Sequence, residues 1–356
     1  MHNSDIFIDI RKKILDKKVP KGCMYCVKQE TQGIKSHREQ LIDKLGPINP
    51  EYINGEIVSE DNIEYLDIRT GNTCNFMCNF CNPWNSHLIG KEYANSHANS
   101  HADPMQIVYG PKKTHSIKIG FVNNISKYKN LKFIHFAGGE PFFMKKKLIK
   151  IIDLIQNKEQ ITFRVLTNTS LYDEEIIEKL KQFKTVWIMM SIDAIGRSIE
   201  ISRWRSNWNI LDENIQKFVK LRNDYPQVNL MMVPAIGVYT VGSLPKLLEY
   251  GSRNKIYTSV LFIQDPYSQV VNMISSNHLK KIKEKVLAKC KVFKIDRENC
   301  NYKEIIQQFD FYIKNNNINN KVIKSFWYWQ KYFEDNRNYS LKKELPTVYN
   351  MIKTVS

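Results

Sequence analysis

From residue 63 onward, short apolar runs alternate with longer amphipathic stretches, and this alternation confines the chain to repeated βα units on a mostly parallel sheet. The strand candidates are 63–69, 132–137, 162–167, 185–192, 227–237 and 257–263, and helix-compatible sequence such as 144–155 and 211–221 follows them. Right-handed crossovers curl six such units into an open structure rather than a closed eight-stranded ring. The predicted fold is therefore α/β, a partial (β/α)6 barrel of mostly parallel strands, with ligands at the carboxyl ends of those strands. At 356 residues and 42% hydrophobic content, the chain can bury such a core and carry appendages.

The rest of the chain flanks that barrel. Residues 1–60 read as a small N-terminal module: a basic helix over 6–17, a Cys23-Met-Tyr-Cys26 knuckle, a helix over 38–45 and the turn-rich link Gly46-Pro47-Ile48-Asn49-Pro50. The barrel is expected over 61–270. Residues 271–356 form a C-terminal helical region, aromatic-rich at Phe326, Trp327, Tyr328, Trp329, Tyr332 and Phe333, expected to pack over the barrel or its open side. Within the barrel, 82–125 is an insertion that carries a perfect duplication, Ala94-Asn-Ser-His97 and Ala98-Asn-Ser-His101. Long loops of this kind are functional or disordered. His97 and His101, four apart, either share a helix face as a metal pair or belong to a solvated low-complexity loop.

Five of the seven cysteines fall in two tight sets, Cys23 with Cys26 and Cys74 with Cys78 and Cys81. That grouping suits metal ligands rather than staples across a fold. The first twenty residues are charged at Asp5, Asp9, Arg11, Lys12 and Lys13 and lack a signal-peptide core, and no apolar run is long enough to span a bilayer. The chain thus reads as cytoplasmic, with no membrane partner, where thiols stay reduced. Three thiolates on one short loop after a strand can bind three irons of a cubane and leave the fourth open to an external ligand. The same residues could serve as small buried hydrophobes, or as part of a zinc site that borrows a fourth ligand.

The stretch Thr73-Cys74-Asn-Phe-Met-Cys78-Asn-Phe80-Cys81, with an aromatic residue directly before the last cysteine, resembles the signature of the radical S-adenosylmethionine (SAM) superfamily. The resemblance implies that Cys74, Cys78 and Cys81 hold a [4Fe-4S] cluster, that SAM chelates its open iron, and that Phe80 lies beside the SAM adenine. It continues in Gly138-Gly139-Glu140-Pro141, similar to the family's glycine-glycine-glutamate-proline motif that receives the SAM amino group. Leu166-Thr167-Asn168-Thr169 is similar to the threonine-asparagine-glycine turn, with Thr169 in place of glycine. Ser191-Ile-Asp193-Ala-Ile-Gly196 is similar to the serine-x-aspartate-glycine turn, with Ala194 in place of glycine. Ser191 and Asp193 either contact SAM or cap the following helix. Arg203 stands where relatives keep an arginine for the SAM carboxylate, with Arg205 a competitor two residues on.

Pro20 to Arg38, around Cys23 and Cys26, resembles the end of the cysteine-bearing, SPASM-like module of twitch-type radical SAM proteins, in truncated form. The pair either joins a second metal site completed by Cys290, Cys300 or another ligand, or is a metal-free knuckle. The mechanism implied is reductive cleavage of SAM to a 5'-deoxyadenosyl radical that abstracts hydrogen from substrate, with a flavodoxin or ferredoxin as reducing partner. The N-terminal module points to a peptide or protein substrate; a nucleotide, sugar or other small metabolite is the alternative. No single catalytic side chain is named by the pattern. A charge of +17 allows a different class, a metal-bearing scaffold that binds nucleic acid, but the charge is spread along the chain and accompanies high Asn and Ile content.

Overall fold

The computed structural model describes residues 4–31, 63–95, 123–316 and 320–353, with the single positions 36, 38, 39, 42, 43 and 114. The chain divides into two compact units, one of Met1–Glu64 with Lys127–Leu131 and one of Tyr65–Ser126 with Lys132–Ser356. His97, His101, the link at 46–50 and most of 38–45 lie outside the described residues.

In the smaller unit, helix α1 (Asp5–Leu15) and helix α2 (Met24–Thr31) flank a short 3-10 turn at Lys21–Cys23. Cys23 closes that turn through its amide to Pro20 O, and Cys26 falls in the first turn of α2. Downstream, Ser36 and Glu39 form a reciprocal cap: the Ser36 amide donates to Glu39 Oε2 and the Glu39 amide to Ser36 Oγ. Glu30 accepts from both Ser36 and Arg38.

The larger unit is built on six parallel strands in the order β1-β3-β4-β5-β7-β9. These are β1 (Tyr65–Arg69), β3 (Phe133–Ala137), β4 (Thr162–Thr167), β5 (Thr185–Met190), β7 (Val228–Met232) and β9 (Tyr257–Thr258). Their crossovers carry α3 (His87–Asn95), α4 (Lys145–Leu154), α5 (Glu174–Leu180), α6 (Arg197–Ser202), α7 (Trp208–Asp224) and α8 (Leu244–Arg253). Helix α5 starts where Asp173 accepts from the Ile176 amide, and α7 where Asn207 accepts from the Ile210 amide. One face of the sheet is fully buried: Ile134, Phe136, Phe163, Val165, Val186, Ile188 and Met232 are sealed by residues such as Leu148, Ile151 and Phe218 of α4 and α7. The other face is half-buried, so β4 and β5 alternate strictly between the two environments.

Two strand candidates are shorter than their apolar runs. Pro234 has no amide to donate, so β7 stops before it, and the run resumes as β8 (Ala235–Ile236). There the chain leaves the sheet and pairs in parallel with β10 (Leu261–Phe262), the second half of the run that begins at β9. A further two-stranded pair, β2 (Met77–Cys78) with β6 (Arg203–Trp204), is antiparallel.

The C-terminal helices are α9 (Ser276–Val292), α10 (Tyr302–Lys314), α11 (Asn320–Arg337), α12 (Leu341–Glu344) and α13 (Pro346–Lys353). Helix α11 presents Val322, Phe326, Trp329 and Phe333 inward as one stripe, and Trp329 meets Tyr93 of α3 at 4.9 Å between ring centroids. The insertion expected at 82–125 is thus not all loop: its first part is α3, pinned into the core by Ile89 and Tyr93. Among the described residues no helix is long and apolar enough to cross a membrane.

Candidate active site at the carboxyl edge of the sheet

The three-cysteine loop leaves the end of β1 and is held at three points. Cys78 pairs with Arg203 across the β2–β6 ribbon, and the Asn79 amide donates to Ser202 O at 2.9 Å. On its other flank, Thr73 O accepts the Glu140 amide at 2.8 Å, which ties the loop to the turn after β3. That turn is Gly138-Gly139, with φ of +88° and +58°. A Cβ on Gly139 would lie 2.2 Å from Thr73 O. The two glycines therefore let one loop of the site lie directly against the other.

The third hold comes from α11. Arg337 is buried and forms two bonds to Glu92 of α3, Nε to Oε1 at 2.9 Å and Nη2 to Oε2 at 2.6 Å. Its remaining Nη1 donates to Asn79 Oδ1, between the second and third cysteines. Neither Arg337 nor Glu92 was named from sequence. The available signal was the apolar stripe of α11, which continues one turn past Phe333 into an arginine. Replacing Arg337 by methionine strands a buried carboxylate, a loss of about 3–5 kcal/mol. Calorimetry should show the main unfolding transition falling by roughly 4–8 °C, and the Glu92→Gln/Arg337→Met pair should lose less than the two single changes combined.

Asp193 and Arg203 form a buried pair. Both Asp193 oxygens take guanidinium N–H groups, at 2.6 and 2.8 Å, and Oδ1 also accepts the Ala235 amide at 2.7 Å. Asp193 is therefore not a helix cap; α6 begins at Gly196 without a side-chain cap. Arg203 Nη1 faces Cys78 Sγ at 3.8 Å, and the guanidinium lies 5.2 Å from the Phe80 ring centroid. The fork expected to meet a carboxylate of SAM is occupied by Asp193, which leaves the cysteine-facing edge of Arg203 for the site. Arg205 is exposed, in a left-handed backbone conformation. Of the two arginines, only Arg203 reaches the cysteines.

Glu140 and Asn168 link β3 to β4. The buried Glu140 carboxylate accepts from the Phe142 amide at 3.0 Å, Thr167 Oγ1 at 2.8 Å and the Asn168 amide at 2.5 Å. Burial raises its pKa to about 7 against the pull of those donors. Asn168 Nδ2 bridges Asn75 Oδ1 at 2.8 Å and Cys74 Sγ at 3.9 Å. Thr169, in place of glycine, keeps the left-handed turn at φ +65°, held by its amide on Thr167 Oγ1 and by Asn214 on its carbonyl. Its buried hydroxyl finds no partner among the described residues. Ser191 is half-buried at the end of β5, its amide on Thr167 O.

Burial holds the Cys74 thiol up at about 12, with Cys78 adding to the effect; burial also raises Cys78, and burial with its two neighbours raises Cys81 further. Cys23 and Cys26 are half-buried in the smaller unit. Cys290 and Cys300 are buried in the apolar core of the larger one. Among the described residues no three His, Cys, Asp or Glu side chains converge as ligands of a single metal ion. A cubane takes one thiolate per iron and does not require such convergence.

A profile of the radical SAM superfamily matches residues 68–249, more than half of the chain. The chain belongs to the radical SAM superfamily. Similar solved structures include AdoMet-bound anSMEcpe, at 15% identity over 63% of this chain and 57% of that one, TM-score 0.44. Streptococcus suis SuiB bound to precursor peptide SuiA matches at 15% identity over 78% of this chain and 61% of its own, TM-score 0.43. The radical SAM methyltransferase TsrM from Kitasatospora setae, with cobalamin and a [4Fe-4S] cluster bound, matches at 13% identity over 55% and 36%, TM-score 0.39. The chain spans less than two thirds of the length of each. No curated protein sequence matches it. The superfamily's cofactors fit the residues present: three crowded thiols that burial disfavours as free anions would be relieved by ligation to a cationic cluster, and two side-chain N–H donors, from Asn168 and Arg203, already face their sulfurs.

Proposed function

We propose that this radical SAM protein uses Cys74, Cys78 and Cys81 as the ligands of a [4Fe-4S] cluster, and that the carboxyl edge of the sheet binds SAM beside it. The observation that carries the reading is the convergence of the cysteine loop, the Gly138-Gly139-Glu140 turn, Asn168 and the Asp193–Arg203 pair on one edge of the sheet. When bound, the cluster and SAM supply one-electron cleavage of SAM to methionine and a 5'-deoxyadenosyl radical that takes a hydrogen atom from substrate.

The chain's own residues do the rest. Arg203, held by Asp193, directs one N–H at Cys78 and stabilises its anionic form, and Asn168 does the same for Cys74. Phe80 lends an apolar face for the adenine, and Ser191 lines the edge beside it. Glu140 keeps a free acceptor position on its carboxylate for the SAM ammonium, with Pro141 fixing the turn behind it. The electron would come from a flavodoxin or ferredoxin. The substrate is proposed to be a peptide or protein, on the resemblance of the Cys23 and Cys26 segment to peptide-modifying relatives, and those two cysteines are proposed as a knuckle rather than a second cluster.

The deciding experiment is anaerobic reconstitution with iron and sulfide, metal counting, then dithionite and SAM without substrate. About four irons per chain with 5'-deoxyadenosine formed is the expected result; zinc in place of iron, with SAM intact, would sink the reading. Glu140 adds a pH signature. Its raised pKa means the folded chain keeps a proton there that the unfolded chain has lost, so its contribution to stability is complete below about pH 4.5 and fades as pH rises through about 7. Binding an ammonium needs the ionised form, so SAM affinity should climb roughly tenfold per unit up to pH 7, and Glu140→Gln should flatten that limb in calorimetric titrations.

A further inference from the structure

The half-buried face of the sheet carries one polar row. Asp67, His135, Arg164, Trp187 and Asn229 are in register across β1, β3, β4, β5 and β7, all on the side opposite the helices. Asp67 is already neutralised by Arg69 at 2.8 Å. Arg164, in the middle of the row, is different. Among the described residues its buried Nε has no hydrogen-bond partner, and no carboxylate pairs with its guanidinium. Burial lowers its pKa, with only Tyr65 acting the other way. A guanidinium partly withdrawn from water, with its Nε sealed and no carboxylate beside it, costs stability, and an anion supplied from elsewhere would relieve that cost.

The position suits that supply. Arg164 lies in β4, four residues before Asn168 at the end of that strand, about 13 Å along the chain at 3.3 Å per residue, on the inner face that leads to the cysteine loop. Trp187 stands beside it in register and offers a flat apolar wall. We propose that Arg164 anchors a carboxylate of the substrate on the inner face of the sheet, so that the site takes acidic rather than neutral peptides. This rests on the reading of that edge as a radical SAM site. A guanidinium fork accepts a carboxylate through two parallel N–H bonds, and Trp187 keeps water from the pair.

The test uses the reconstituted protein with SAM and three tripeptide probes: acetyl-Gly-Glu-Gly amide, acetyl-Gly-Gln-Gly with a free carboxylate, and acetyl-Gly-Gln-Gly amide. At least one carboxylate probe should bind about tenfold or more tighter than the uncharged one, and which of the two does so tells a side-chain from a C-terminal carboxylate. Arg164→Met should erase the preference while raising the melting temperature, because it removes a desolvated charge. Equal binding of all three probes by the wild type, a preference that survives in Arg164→Met, or a variant that melts lower would each overturn the proposal. A wild-type protein that prefers a carboxylate but forms no 5'-deoxyadenosine would instead sink the radical reading and leave the Arg164 site standing.

Discussion

Cys78→Ala is expected to leave the reconstituted protein with almost none of the about four irons of the wild type and with no 5'-deoxyadenosine formed. Cys78 is the middle of the three proposed ligands and the one that pairs in register with Arg203, so on that reading its loss removes a ligand and strands an N–H donor at once. The fold itself should persist, because a buried Cys-to-Ala change removes one small atom from a loop held by Thr73, Asn79 and Ser202 backbone and side-chain contacts. Circular dichroism separates loss of the cluster from loss of the chain. Cys23→Ala and Cys26→Ala should keep most of their iron. Equal loss in all three variants would place the N-terminal pair on the cluster and contradict the knuckle reading.

The second large effect is expected at Gly139. Alanine there adds the strain of a left-handed backbone, about 1–2 kcal/mol, and puts a methyl group 2.2 Å from Thr73 O, which has to move. Moving Thr73 breaks its bond to the Glu140 amide and shifts Cys74, the next residue. Gly196→Ala is the matched control: Gly196 has φ +62° but open space where its Cβ would go. Both variants should melt lower than the wild type. Only Gly139→Ala should also lose iron and SAM cleavage, and equal iron contents in the two variants would show that the loops do not need their close approach.

Much of this was readable in the sequence because it depends on local rules. The apolar run at 162–167 became a strand with those same bounds, and the helix expected at 144–155 forms at Lys145–Leu154. The three cysteines, the two glycines and Asn168 meet at one edge because successive βα units deliver each strand end to the same side. What escaped was long-range or rested on a single residue. Pro234 splits a run that periodicity treats as continuous. Residues 87–95 have the Ile89 to Tyr93 spacing of a helix, obscured by the polar repeat that follows. The Glu92–Arg337 pair joins residues 245 positions apart, and no local pattern encodes such a partnership. Arg203 was placed in the site by motif, but only the fold shows that Asp193 occupies its fork.

The brace from Arg337 to Asn79 spans 258 positions of the chain. At typical synthesis rates of about 5–20 residues per second, Arg337 is made on the order of 10–50 s after the loop it steadies. During translation, then, the three thiols are complete while their last support does not yet exist. Until α11 emerges, the growing chain holds the cysteine loop only through Thr73 O to the Glu140 amide and through the pairing with Ser202 and Arg203, and the brace from Arg337 is added last.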